Sequence, residues 1–575
     1  MPDNAPQSIS TTELRARIQA RLRCDEDALV NELIEQARFS NAERQRIHNR
    51  AKPLIATVRA ERTQTGGIDA FMATYDLSSK EGIVLMCLAE ALLRIPDADT
   101  IDRLIHDKIG PADWDSRLGA SHSLFVNAST WGLMLTGRLV TLDDDPNKSF
   151  GILRKLVARA GEPVIRQAVL AAMRILGRQF VMGRNIEEGL ERARDAEANG
   201  YRHSYDMLGE SARTTRDALR YFESYSRAIE AIGREARGRP ALIAPSISIK
   251  LSALHPRYEV AQQDRVIAEL TPAVKQLALR AKRAGIGFTI DAEEVDRLEL
   301  SLDLIEFLAL DPELAGWDGL GLAVQAYQKR ALPVIDWLAD LARRANRRLM
   351  VRLVKGAYWD AEIKMAQERG LSDYPVFTRK ASTDVSYLAC AKRLLADPVA
   401  FYPAFATHNA HTLAAIAEIA VTLGGNDEWE YQRLHGMGEE LYDQVVGEKH
   451  WGVPCRVYAP VGSHEDLLAY LVRRLLENGA NTSFVNRIAD ADLPLDTLLA
   501  CPVEAMAALP NKRASRIPLP RDLYRVTGAH LKDLRDNSQG LDMFDQATLK
   551  KLADAIDASR QVDQLAAPIV AGRTL

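Results

Sequence analysis

Nine consecutive residues carry the densest chemistry in the chain. RLVKGAYWD (352–360) holds two cations, a glycine and two aromatics. Arg352 stands inside an apolar run, where an unpaired guanidinium is costly, so an anionic or electron-rich ligand is expected beside it. Lys355 closes the run, and Gly356 permits a close backbone approach. Lys250 closes a second apolar run, SISIK (246–250). A lysine so placed can be a Schiff-base amine, an anion ligand, or a side chain snorkelling at a rim. Asp291 closes a third run, GFTID (287–291). Glu293 and Glu294, just beyond it, read as a solvated helix start with acids near the positive helix end.

Other chemistries find less support. Sugar cleavage needs two carboxylates facing each other across a bond, and only Asp291 ends a strand squarely. His408-x-x-His411 with His435 could begin a metal site, but no further ligand is evident, so no metal is expected and hydrogen bonding on a loop is the better reading. In LLAYLVRRLLENGANTSF (467–484), Leu468, Leu471, Val472 and Leu475 form an apolar stripe. Arg473 and Glu477, four apart, are either an exposed pair worth a few tenths of a kcal/mol or part of a carboxylate clamp made by the doublet Arg473-Arg474. Periodicity leaves that choice open.

These residues need a scaffold. Short apolar runs at 202–208, 242–250, 287–291, 322–326, 349–355, 404–408, 431–435 and 455–460 alternate with amphipathic helical stretches. Eight such units in about 280 residues predict a parallel (β/α)8 barrel, with an open doubly wound sheet as the alternative. In a barrel, strand C-terminal ends carry the chemistry. Here those ends hold Lys250, Asp291, Gln325, Lys355, His408, Leu434 and Tyr458. There is no GxGxxG after a strand and no GxxxxGK[ST]. Residues 11–200 read almost entirely as helix (TTELRARIQARL, EDALVNELIEQARF), with a less regular stretch at 113–145. Residues 500–524 contain four prolines and read as an extended linker before a last helical stretch, TLKKLADAIDASRQVDQL. The closing AAPIVAGRTL resembles the opening of a further segment. The expected domains are a helical arm (1–60), a helical domain (61–185), the barrel (186–490), and a linker with helical tail (491–575).

Composition narrows the classes. The 575 residues carry 74 Lys+Arg against 78 Asp+Glu, a net charge of −4, which leaves no global basic footprint for nucleic acid. The 5 cysteines are scattered and never spaced CxxC, arguing against a disulfide framework or a cysteine zinc site and for a reducing, cytoplasmic compartment. Gly82–Ile95, the most apolar helical stretch, is too short to span a bilayer, so the expectation is a soluble protein, at most peripheral on a membrane.

The runs SISIKLSALHPRY, IDAEEVDRLELSLDLIE, QAYQKR, RLVKGAYWDAEIK, FATHNAHT, LHGMGEELY and CRVYAPVGSHEDLLAYLVRRLLENGANTSFVNR resemble the proline dehydrogenase domain of the bifunctional proline utilization A flavoproteins. The resemblance is dense from about residue 200 to 490. It implies a distorted (β/α)8 barrel holding FAD, and oxidation of L-proline to Δ1-pyrroline-5-carboxylate by hydride transfer from proline C5 to flavin N5. Electrons would pass to a ubiquinone-type acceptor at the inner face of the cytoplasmic membrane. Arg473 and Arg474 resemble the pair that grips the substrate carboxylate, with Lys250 assisting and Asp291 positioning that cationic group. Tyr358, Leu434 and Tyr458 match residues packing over the proline ring. Gln325, Arg352, Lys355, Gly356, Trp359, Thr378, Lys380, His408, Asn409 and Glu477 match flavin contacts. Such chemistry needs an electron sink and no protein nucleophile.

Two departures bear on partners. Some family members begin with a ribbon-helix-helix DNA-binding segment, and residues 1–50 lack a clear strand before the first helix, so DNA binding is not expected. The family continues into an NAD-dependent aldehyde dehydrogenase, and with this chain stopping at Leu575 the second oxidation is expected to be absent. The competing readings are a Schiff-base lyase or aldolase using Lys250 or Lys355, and a DNA-binding regulator of proline genes.

Overall fold

The computed structural model describes residues 10–62, 100, 180–424, 428–462, 487–488, 493–526, 536–560 and 566–574. The strands β1 (Tyr201–Met207), β2 (Ser246–Ile249), β3 (Gly287–Ile290), β4 (Leu320–Gln325), β5 (Leu349–Val354), β6 (Phe401–Ala406), β7 (Glu430–Leu434) and β8 (Cys455–Val461) form a closed barrel in chain order. Every neighbour pair is parallel, and β8 closes on β1 in a register running from Tyr201 opposite Cys455 to Met207 opposite Val461. All eight predicted runs are strands of this barrel. Each residue of β2, β3 and β4 is buried, as expected where helices cover the outside and side chains fill the inside.

The helices between strands follow from local signals. Thr214 and Asp217 make a reciprocal capping box that starts the helix Thr215–Ala236. Gly285, at φ 68°, takes the left-handed conformation that ends the helix Gln263–Ala284 just before β3.

Three arm helices, α1 (Thr11–Ala20), α2 (Glu26–Ala37) and α3 (Asn41–Arg62), lie against the barrel's outer helices Ala331–Arg344, Lys380–Leu395 and Ala410–Thr422 respectively. Apolar stripes such as Leu29, Val30, Leu33 and Ile34 bury that contact. The expected helical domain (apart from residues 61–62, 100 and 180–185), the stretch 113–145 expected to be irregular, Gly82–Ile95 and the helix expected at 467–484 lie outside the described residues. No helix among the described residues is long and apolar enough to cross a membrane.

The proline-rich stretch is not an extended linker. It forms the short helices Pro502–Ala507 and Leu523–Val526, and Met506 and Lys512 are buried. Pro502 occupies the first helical turn, where its missing N–H has no partner to lose. Arg513 pairs with Asp373, while Thr378 donates through both N and Oγ1 to Glu26 Oε1 at 2.9 Å and accepts from Ala514 N at 2.9 Å. One buried polar knot thus ties arm, barrel and tail. The last helical stretch is present as Gln546–Ser559, and the closing residues pair as Ile569–Val570 with Arg573–Thr574.

Candidate active site

The barrel interior is polar along much of its axis, unlike the branched aliphatic layers that fill many such barrels. Arg352, projecting inward from β5, is 4% exposed. It donates from Nε to Gln432 Oε1 (2.7 Å), from Nη1 to Asp291 Oδ1 (2.6 Å), and from Nη2 to Ser248 Oγ (2.7 Å) and Ser204 Oγ (3.2 Å). Sequence reasoning expected a bound ligand to satisfy this guanidinium. The protein itself does so, with four acceptors from or just after four other strands and one carboxylate among them.

Above Arg352 sits a second group. Lys250 Nζ donates to Asp206 Oδ2 at 2.8 Å and lies 3.5 Å from Asp291 Oδ2 and 3.4 Å from the Tyr458 hydroxyl. The Tyr458 hydroxyl oxygen is itself 2.7 Å from Asp206 Oδ2 and 2.6 Å from Asp291 Oδ2. The Arg352 guanidinium lies 5.0 Å from the Tyr458 ring centroid. Burial pushes the Asp206 carboxyl up. Burial opposes the Lys250 ammonium, but Asp206, Tyr458 and Asp291 outweigh it and hold it well above the ordinary lysine value. An amine kept protonated in this way has no lone pair for a carbonyl, which counts against the Schiff-base reading of Lys250.

Residues 189–487 match the family model described as proline dehydrogenase. The chain belongs to the proline dehydrogenase family. Two further models of proline dehydrogenases match before the barrel: the proline utilization A proline dehydrogenase N-terminal domain over residues 12–59, and a DNA-binding domain of proline dehydrogenase over 67–180. The expectation against DNA rested on residues 1–50, and this second match falls on a different stretch. The chain is 54% identical over 577 residues to the bifunctional protein PutA of Salmonella typhimurium, covering 98% of this chain and 43% of that protein. It is 50% identical over 568 residues to PutA of Rhizobium meliloti, covering 98% and 45% respectively. A solved structure of a Bradyrhizobium japonicum proline utilization A variant is similar at TM-score 0.72 and 45% identity, over 95% of this chain and 53% of that one. The chain therefore spans less than half the length of these curated relatives.

The rim of this proline dehydrogenase barrel carries the remaining singled-out residues. Gln325, at the end of β4, is buried and donates from Nε2 to Glu293 O at 2.8 Å. Lys355 Nζ pairs with Asp384 Oδ1 at 2.5 Å. Gly356 has φ 139°, and a Cβ there would fall 2.4 Å from the Tyr327 ring, so glycine is required. Tyr358 is the half-buried cap of the helix Trp359–Glu368, and Trp359 Nε1 donates to Phe377 O at 2.8 Å. Lys380 is exposed at the start of its helix, whereas Thr378 is occupied in the polar knot. Leu434 is half-buried, and its backbone N–H donates to His408 Nε2 at 3.1 Å. Asn409 caps the helix Ala410–Thr422 by accepting from Thr412 N. Arg473, Arg474 and Glu477 lie outside the described residues.

One expectation changes. Glu293 is not a solvated helix start: it is buried, accepts from Ser252 N at 3.0 Å and pairs with Arg297 at 2.8 Å. Its neighbour Glu294 is half-buried and also faces Arg297, at 3.2 Å. Of the two histidines, His408 precedes the helix that contains buried His411. Among the described residues no group of three or more His, Cys, Asp or Glu could hold a metal.

Sequence reasoning missed Asp206, Ser204, Ser248 and Gln432. Asp206 was findable, since it stands near the C-terminal end of the first strand like the residues that were singled out. The serines and Gln432 were not. They are ordinary strand residues until the closed barrel aims them at Arg352.

Proposed function

We propose that this chain oxidises L-proline to Δ1-pyrroline-5-carboxylate, using a bound flavin, FAD, at the C-terminal mouth of the barrel. The observation that carries this reading is the cluster at that mouth of buried Asp206, Lys250, Asp291 and Arg352 with half-buried Tyr458. It is fixed and charged, and it contains no free nucleophile, which suits oxidation of a bound amine better than hydrolysis or carbonyl addition.

The flavin, when bound, supplies the electron sink for the hydride leaving proline C5. The donor set suits such a group. Gly356 and Ala357 expose backbone at the rim, and Lys355 and exposed Lys380 bring positive charge near it. Gln325, Arg352, Trp359, Thr378, His408, Asn409 and Glu477 complete the proposed cofactor contacts. Gln325, Arg352, Trp359, Thr378, His408 and Asn409 also have protein partners, so part of their contribution is to hold the wall.

On the substrate side, Arg473 and Arg474 grip the proline carboxylate in bidentate fashion. Lys250 adds positive charge, and Asp291 fixes both Lys250 and Arg352. Tyr358, Leu434 and Tyr458 cover the ring and exclude water. Electrons then pass to a ubiquinone-type acceptor, with the protein cytoplasmic and peripheral on the inner face of the membrane.

The test is an absorbance spectrum of the purified protein, repeated after adding L-proline without oxygen. A flavin spectrum that bleaches establishes cofactor and substrate together. An unchanged flavin spectrum keeps the cofactor and removes proline. A colourless protein that FAD does not reconstitute overturns the reading.

A second reading rests on the match of residues 67–180 to a DNA-binding domain of proline dehydrogenase: the same chain contacts DNA through that stretch. An electrophoretic shift at low salt tests it, because phosphate contacts are strongest there, and absence of retardation removes it.

A further inference from the structure

The Tyr458 hydroxyl presents a proton-counting problem. Its oxygen lies 2.7 Å from Asp206 Oδ2 and 2.6 Å from Asp291 Oδ2, yet a phenol has one hydrogen to donate. If both carboxyl groups were ionised, one of these short contacts would set an anionic oxygen against an oxygen lone pair. Lys250 Nζ, at 3.4 Å from the same hydroxyl, can fill only one of its acceptor positions.

We propose that Asp206 is a neutral carboxylic acid in the resting enzyme and acts as the positioning residue for Tyr458. Its O–H donates to the Tyr458 oxygen, and the Tyr458 O–H donates to the ionised Asp291. Lys250 donates to Asp206 Oδ2 and toward the remaining lone pair of Tyr458, and with Asp206 neutral its charge is balanced by the ionised Asp291 at 3.5 Å. Every hydrogen then has one acceptor, and the phenol ring is fixed at two points.

The choice of Asp206 over Asp291 follows from their partners. Asp291 Oδ1 accepts from the Arg352 guanidinium at 2.6 Å, a charge-assisted bond that favours an ionised carboxylate. Asp206 is completely buried, and its Oδ1 accepts from no donor among the described residues. An ionised carboxylate with one bare oxygen in the interior is costly, whereas the carbonyl oxygen of a neutral acid is far less so. Lys250 does not reverse this, because burial and the facing charge of Asp291 both act upward on Asp206. The groups facing Asp206 are Lys250 after β2, Asp291 after β3, Tyr458 on β8 and Tyr225 on the helix Thr215–Ala236, with Arg352 behind Asp291. The inference rests on Tyr458 facing substrate, as argued under the proposed function.

Infrared difference spectroscopy of the oxidised, flavin-loaded enzyme without proline tests the proton directly. Glu26, Glu293 and Glu362 are also pushed upward by burial, so the assignment uses wild type minus Asp206→Asn. The expected result is a protonated-carboxyl C=O band, shifted in deuterium oxide, that is present in wild type and in Glu362→Gln and missing in Asp206→Asn. The same band in all three proteins overturns the proposal. If Asp206→Asn does not fold, Tyr458→Phe serves, and an unmoved band overturns the proposal equally.

Kinetics add the positioning role. Asparagine keeps a donor for Tyr458 but not the acceptor that Lys250 uses on the same atom, so Asp206→Asn should lose part of kcat/KM for proline and Asp206→Ala at least about tenfold more. Equal losses in both variants overturn the role. A missing band together with a flavin that proline does not bleach would leave the neutral acid standing and remove the substrate reading instead.

Discussion

Glu430 and Arg456, both fully buried, meet through two hydrogen bonds at the floor of the barrel. Arg456 Nε donates to Glu430 Oε1 at 2.6 Å and Nη2 donates to Oε2 at 3.1 Å. Arg202 Nη1 adds a third donor to the same carboxylate at 3.1 Å. Gln432 then links floor to mouth: its Nε2 donates to Glu430 Oε1 at 3.0 Å while its Oε1 receives Arg352 Nε. The site therefore stands on a hydrogen-bonded column rather than on an apolar plug.

The first prediction tests that column. Glu430→Gln leaves the buried Arg456 and the half-buried Arg202 facing a neutral amide, and removing one partner of a buried pair typically costs about 3–5 kcal/mol. Urea unfolding should show a loss in that range. Burial alone would raise the Glu430 carboxyl, but Arg456, aided by Arg202, holds it below its ordinary value. Its stabilising contribution is thus present above the ordinary glutamate range and is lost as pH falls below it. The gap between wild type and variant should shrink in acid; a constant gap would show that charge is not what Glu430 contributes.

The second prediction concerns the fork of Arg352. A lysine at this position keeps the charge, but it does not reach Gln432, Asp291, Ser248 and Ser204 at once. Arg352→Lys should lower kcat/KM for proline by at least about tenfold, because Asp291 loses its fixed partner and with it the geometry of Tyr458 and Lys250. Steady-state kinetics beside a thermal melt would check this. Wild-type kinetics in the variant would mean that charge alone suffices at the mouth.

The fold was legible because each buried parallel strand is a short apolar run ended by a polar residue, and eight such runs recur in LIAPSISIK, GFTID, LMVRLVK and their counterparts. Residues at strand ends could be singled out by position, as Lys250 and Asp291 were. Residues inside strands could not, since whether Ser204 or Gln432 faces the axis depends on barrel closure and register. The proline-rich stretch misled because prolines at helix starts read like linker prolines until Met506 and Lys512 are seen to be buried. Glu293 misled in a similar way: an acid after a strand reads as solvated until Ser252 N and Arg297 close on it.

A third prediction separates the two readings of Arg473. If Arg473 grips the proline carboxylate, Arg473→Met should raise KM for proline by about tenfold or more, since charge-assisted hydrogen bonds are worth about 1.5–3 kcal/mol. Flavin content should stay near wild type. Measured KM beside the flavin-to-protein absorbance ratio decides it, and an unaltered KM would return Arg473 to an exposed pair with Glu477.

The last prediction comes from Glu362, in the helix that Tyr358 caps. Its Oε1 accepts from Val295 N at 2.9 Å, tying that helix to the loop after β3. Burial, with Asp296 and Glu294 adding, pushes its carboxyl up from 4.5 to about 7, against the opposing charge of Arg330. The folded state therefore holds a proton that the unfolded chain releases earlier. The stabilisation is complete below the unfolded value of 4.5 and is lost as pH rises through about 7. Glutamine keeps a carbonyl for Val295 N and never ionises. Glu362→Gln should gain on wild type as pH rises across that window, by about 1–3 kcal/mol at pH ~8. Urea midpoints at pH ~5 and ~8 measure the gain. Equal differences at the two pH values would mean that Glu362 ionises as freely in the fold as in the unfolded chain.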